Sequence, residues 1–149
     1  MPKPALRSVL GLVVLAALAA CVPPPHPAAM PAPRSAEPLV SSLQVAPQAD
    51  GVHLVLQVTN AGSAPVALTF GTGQSFDFAV ARGGTELWRW SADRMFTQAV
   101  RETSVAPGQT LRYEATWTPP AGTHGPLTAR GWLTAAGVRA EQSAGFTLP

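Results

Sequence analysis

Apolar and polar positions alternate in steps of two along most of this chain. Val52, Leu54, Leu56 and Val58 interleave with His53, Val55, Gln57 and Thr59. Leu111, Tyr113, Ala115 and Trp117 interleave with Thr110, Arg112, Glu114 and Thr116. Period two sends neighbouring side chains to opposite faces of an extended strand, so each run is a strand buried on one side, with His53 pointing outward. The same pattern places further strands at 39–46, 65–70, 75–82, 85–91, 97–103, 127–134 and 138–148, and nothing after Pro38 follows a 3.6-residue period. Turn chemistry separates the runs, at Asp50-Gly51, Asn60-Ala61-Gly62-Ser63, Pro107-Gly108 and Pro119-Pro120-Ala121-Gly122. Residues 39–149 approach the roughly 100 residues of an immunoglobulin-like domain, so the expected fold is all-β, an immunoglobulin-like antiparallel β-sandwich.

Aromatic residues concentrate between Thr69 and Gln98, where apolar positions alternate on both sides of Gly83-Gly84. This is the signature of a hairpin. A three-residue loop, Arg82-Gly83-Gly84 with Gly84 left-handed, pairs Ala81 with Thr85, Phe76 with Trp90, Phe78 with Trp88 and Asp77 with Arg89. A plain two-residue Gly-Gly loop sets Phe78 against Arg89 and Asp77 against Trp90, and wastes those pairs. The expectation is therefore the longer loop, with Phe76, Phe78, Trp88 and Trp90 on one buried face and an exposed Asp77–Arg89 pair setting register on the other. These six residues form the structural signature of the domain. Parity in PLTARGWLT puts Leu127, Ala129 and Leu133 inward and leaves Trp132 outward beside Arg130, as a candidate partner contact.

The N-terminus has a different organisation. Lys3 and Arg7 precede a twelve-residue apolar run, Val9 to Ala20, which ends in small residues before Cys21. Residues 1–20 are expected to be a signal peptide, since the run falls short of the roughly 20 residues a membrane-spanning helix needs. Leu18-Ala19-Ala20-Cys21 resembles the lipobox of bacterial lipoproteins, whose cysteine is acylated and becomes the mature N-terminus; an ordinary signal peptide with an incidental cysteine is the plainer alternative. Cys21 is the single cysteine, so an intrachain disulfide is impossible, and acylation accounts for an exported thiol. Several acyl chains, at roughly 0.8 kcal/mol per buried methylene, hold a protein at a bilayer where one short chain does not. Residues 21–38 comprise the lipidated Cys21 and a tether, VPPPHPAAMPAPRSAEP, with seven prolines in seventeen positions. Such composition reads as an extended spacer, or otherwise as a ligand for a groove.

Charge closes off other classes. Lys3 and Arg7 are two of the ten cationic residues, so eight remain from Cys21 onward against eight carboxylates. A neutral domain without a basic cluster has no electrostatic drive toward nucleic acid, and membrane association is expected through the lipid anchor only. His26, His53 and His124 are too scattered to hold a metal. Gly71-Thr72-Gly73 lacks the third glycine and following helix of a phosphate loop, and no serine sits in a nucleophile elbow, so no enzyme activity, catalytic residue or cofactor is expected.

Asn60, Pro65-Val66, Leu68, Phe70, Gly73-Gln74, Phe76-Asp77-Phe78, Trp88-Arg89-Trp90-Ser91, Phe96-Thr97-Gln98, Pro107-Gly108, Tyr113 and Trp117 together resemble the intracellular proteinase inhibitor (BsuPI-type) domain across roughly residues 52–118. The resemblance implies an immunoglobulin-like sandwich that inhibits a serine proteinase. A chain with an export signal would instead meet a proteinase in the envelope or outside it. Two functions follow: a surface-tethered proteinase inhibitor that occludes the enzyme with an exposed loop, and a non-inhibitory envelope module, structural or binding another protein or a polymer. The loop from Ser91 to Thr97 is the candidate contact, with Ser91, Asp93, Arg94 and Met95, of which Arg94 and Met95 are the types that enter a specificity pocket.

Overall fold

A computed structural model describes residues 38–149. The expected signal peptide, Cys21 and the expected Pro-rich tether, except for its last residue Pro38, lie outside them. Nine strands follow in order: β1 Leu39–Gln48, β2 Gly51–Asn60, β3 Val66–Phe70, β4 Phe76–Arg82, β5 Thr85–Arg89, β6 Arg101–Val105, β7 Thr110–Trp117, β8 Gly125–Leu133 and β9 Glu141–Leu148. Among the described residues there is no helix. All pairings are antiparallel, in sheets ordered β1-β2-β7, β3-β6 and β5-β4-β8-β9. The fold is an all-β sandwich.

Inward residues of the sheets make one core. Val52, Leu54, Leu56 and Val58 from β2 meet Phe78 and Val80 from β4, Leu127, Ala129 and Leu133 from β8, Leu68 and Phe70 from β3, Val105 and Trp117. These are the positions that period two marks in β2, β4 and β8, because burial on one face is what keeps alternation in the sequence. His53 faces away from that core, half-buried, and donates from Nε2 to the Asp50 carboxylate at 2.9 Å. That bond holds the Asp50 carboxyl below its ordinary value.

The hairpin departs from its expected register. Arg82 pairs with Thr85 across a two-residue Gly83-Gly84 turn, then Ala81 pairs with Glu86, Val80 with Trp88 and Ala79 with Arg89. Leu87 is thus an extra residue, and the ladder bulges between Val80 and Ala81. Both turn glycines have positive φ, 55° and 87°, which is what the primed two-residue turn requires. Without the bulge this turn would send Trp88 and Trp90 to the outer face. One extra residue rephases β5, so the aromatic side chains return to the core side and Trp90 donates its backbone N–H to Phe78 O at 2.9 Å. Phe78 therefore lies opposite Trp90 and Val80 opposite Trp88, one pair along from the expected partners.

One strand also moves. The run expected at 97–103 pairs only over Arg101–Val105, where it meets β3. Four of those five residues are exposed and Val105 alone reaches the core, so β6 carries almost no apolar alternation by which its bounds could be read.

Candidate functional site

Residues 91–97 leave the end of β5 as an irregular segment, and the motif residues converge on its two ends. At the first end stands Asp77, 3% exposed. Its position between β5 and β8 explains that burial: Trp132 is its cross-strand neighbour on β8, and Arg89 and Ser91 cover the other side. A buried carboxylate must be matched by donors. Phe78 N–H and Ser91 N–H donate to Oδ1 at 2.9 and 3.1 Å, while Ser91 Oγ and Arg89 Nη1 donate to Oδ2 at 2.6 and 3.4 Å. The expected exposed Asp77–Arg89 pair is therefore corrected. Arg89 remains part-exposed, but Asp77 lies inside and pins Ser91, the first residue of the loop.

Arg89 binds Glu86 more closely than Asp77, with Nη2 donating to Oε2 at 2.6 Å. This bond holds Glu86 below its ordinary value and raises Arg89 above its own. Trp132 sits outward, as parity predicts, but half-buried, with the guanidinium carbons of Arg89 and Arg130 lying 5.2 and 5.3 Å from its ring centroid. Arg130 in turn donates to Glu141 at 2.7 Å. The outer face is a set of charges already paired around one indole.

On the inner side the aromatic residues carry the loop. Phe78 is fully buried, whereas Phe76, Trp88 and Trp90 are partly buried around the core. Phe76 lies 4.3 Å from Trp90 and 4.6 Å from Tyr113 between centroids, and Trp88 lies 6.3 Å from Trp117. Burial pushes the Tyr113 phenol up from its ordinary value. Trp90 then receives two loop side chains. Arg94 stacks 4.3 Å from its centroid and donates Nε–H to Trp90 O at 3.0 Å, and Phe96 packs at 5.8 Å.

The far end is fixed by close approach. Gly73 N–H donates to Thr97 O at 2.9 Å, and a Cβ on Gly73 would stand 2.6 Å from Thr97 Oγ1. Any larger residue there would have to turn the Thr97 hydroxyl aside. Within the loop Ala92 N–H donates to Arg89 O and Arg94 N–H to Ser91 O.

Against this frame the sequence-predicted contacts separate. Ser91 and Arg94 are engaged by the scaffold; Asp93 is exposed; Met95 projects fully, at 99% exposure. Arg94 is exposed as well, but its guanidinium lies over Trp90 and is hydrogen-bonded to that residue's carbonyl. A cleft of about 320 Å³ lies beside the loop, lined by Trp90 and Arg94 on one side and His53, Glu114, Ala115 and Thr116 on the other. The Gly73 clamp was not foreseen. Its signal in the sequence was a glycine beside Gln74 in a stretch too short to need one for turning. Among the described residues no cluster of His, Cys, Asp and Glu could hold a metal.

The β-sandwich thus holds one surface segment at both ends and leaves Met95 fully exposed on it. The family model described as intracellular proteinase inhibitor, BsuPI, matches residues 39–138, and the chain belongs to that family. No curated protein matches the chain. Among solved structures it is similar to the sporulation control protein Spo0M from Bacillus subtilis, at 14% identity and a TM-score of 0.38, over 74% of this chain and 47% of that one. The chain thus spans about half the length of that protein.

Proposed function

We propose that the protein is an exported, lipid-anchored inhibitor of a serine proteinase, acting through the loop from Ser91 to Thr97. The observation that carries this reading is the exposure of Met95 on a loop held at both ends, by Asp77 and by Gly73. A loop already ordered before contact loses little conformational freedom on binding, and that is how rigid contacts gain affinity. Met95 is apolar, unbranched and free, so it suits a deep apolar specificity pocket of the chymotrypsin or subtilisin kind. Arg94 is turned back onto Trp90, which argues against a pocket with an acidic base such as that of trypsin. The anchor at Cys21 and the export signal put the target in the envelope or outside it.

The test is inhibition by the purified protein of a panel of serine proteinases at micromolar concentration. Subtilisin-like or chymotrypsin-like enzymes are expected to be inhibited and trypsin-like enzymes spared. Met95→Asp, at a position with nothing to pack against, is expected to keep the fold and weaken inhibition by 100-fold or more, on the order of the cost of an unpaired buried charge. An untouched panel overturns the reading. The other reading, a non-inhibitory envelope module, draws on the half-exposed Trp132 between Arg89 and Arg130. Membrane pull-downs that bring down a transporter or assembly factor, with no proteinase, would favour it.

A further inference from the structure

Met95 is also the loop's most reactive atom group. The sequence has three methionines, Met1, Met30 and Met95, and only Met95 falls among the described residues, fully open to solvent. We propose that Met95 is a reversible oxidation site at which a hydroperoxide switches the loop's binding off. The inference rests on the loop being the proteinase contact.

The chemistry needs only access to sulfur. A thioether lone pair attacks the nearer oxygen of hydrogen peroxide; the S–O bond forms as the O–O bond breaks, sulfur gives up two electrons, and the departing hydroxide takes the remaining proton and leaves as water. The product is methionine sulfoxide, a polar and chiral side chain that reductases return to the thioether.

The geometry makes the effect local. Every observed contact that shapes the loop belongs to another residue: Ser91 to Asp77, Arg94 and Phe96 to Trp90, Thr97 to Gly73. Oxidation at Met95 breaks none of them, so the fold and the loop's path persist while its one insertion residue changes from apolar to polar. A sulfoxide oxygen entering an apolar pocket exchanges water for no partner, and inhibition should weaken by roughly 10- to 100-fold.

The experiment treats the purified mature protein with hydrogen peroxide and follows sulfoxide at Met30 and Met95 by peptide mass mapping, after inhibition by the untreated protein has been measured. Expected are oxidation of Met95 at least as fast as Met30, unchanged circular dichroism and melting, weaker inhibition, and recovery after methionine sulfoxide reductase. Met30→Leu should show the same switch. In Met95→Leu, whatever its starting strength, the ratio of inhibition before and after peroxide should stay near one. Full oxidation of Met95 without loss of inhibition overturns the inference, as does loss through unfolding, a Met95 that resists peroxide, or an equal loss in Met95→Leu. No inhibition before treatment removes the inhibitor reading, and this inference with it.

Discussion

Asn60 is buried completely at the end of β2, and its side chain makes three hydrogen bonds to the backbone of separate segments. Nδ2 donates to Ala64 O and Val105 O, each at 2.8 Å, and Oδ1 accepts from Gly62 N–H at 2.9 Å. Its own backbone donates to Gln109 O and accepts from Gly108. The side-chain amide therefore ties the turn after β2 to the end of β6, while the backbone of the same residue holds the Pro107-Gly108 turn. Replacing it with Ala removes the side-chain partner of Ala64 O, Val105 O and Gly62 N–H, and we expect Asn60→Ala to cost about 2–4 kcal/mol, read by urea denaturation. Asn60→Asp should cost at least as much, because a carboxylate cannot donate to either carbonyl. Asn60 was visible in the sequence as part of a motif, but its role was not, since no pattern says which distant carbonyls a turn residue will meet. Asp77 marks the same limit. Alternation placed it correctly on the outer face, yet which face a side chain takes does not say what lies over that face, and Trp132, Arg89 and Ser91 come from other strands or beyond their ends.

At the scale of elements, all nine strands were legible, most of them because they alternate against a core, although β4 is buried on both faces over residues 77–80 and β5 and β6 are mostly exposed. Register was not. A three-residue loop and a two-residue loop followed by a bulge both place Phe76, Phe78, Trp88 and Trp90 on one face, so facial sorting alone cannot choose between them. The distinction lies in the turn itself. In the observed turn Gly83 has φ 55°, whereas in the longer loop only Gly84 would be left-handed. A β-branched residue at position 83 should therefore cost about 1–2 kcal/mol. We expect Gly83→Val to lower the denaturation midpoint accordingly and Gly83→Asn to be nearly neutral, since Asn tolerates this conformation. Equal stability of the two variants would point to the three-residue loop. The candidate loop was legible as a segment between signature residues, while the contact of Arg94 with Trp90 was not, because that stacking depends on how the chain turns after β5.

For the whole molecule, the sandwich and the N-terminal signals make separate claims that meet at the membrane. From Cys21 onward the charges balance, eight against eight once Lys3 and Arg7 are set aside, and among the described residues no helix is long and apolar enough to cross a membrane. The membrane attachment we propose is through Cys21. A Pro-rich segment of seventeen residues, at about 3.1 Å each when extended, would then hold the domain as far as roughly 50 Å from the surface, enough for a loop on its flank to reach a soluble proteinase. Cys21→Ser removes the thiol that acylation requires and changes nothing the sandwich uses. It should move the protein from the membrane fraction to the soluble or secreted fraction, measured by fractionation and immunoblot, while the released protein inhibits as well as the anchored one. Retention of Cys21→Ser at the membrane would show that the attachment runs through something other than this cysteine, and release with lost inhibition would show that the anchor serves the binding reaction as well as location.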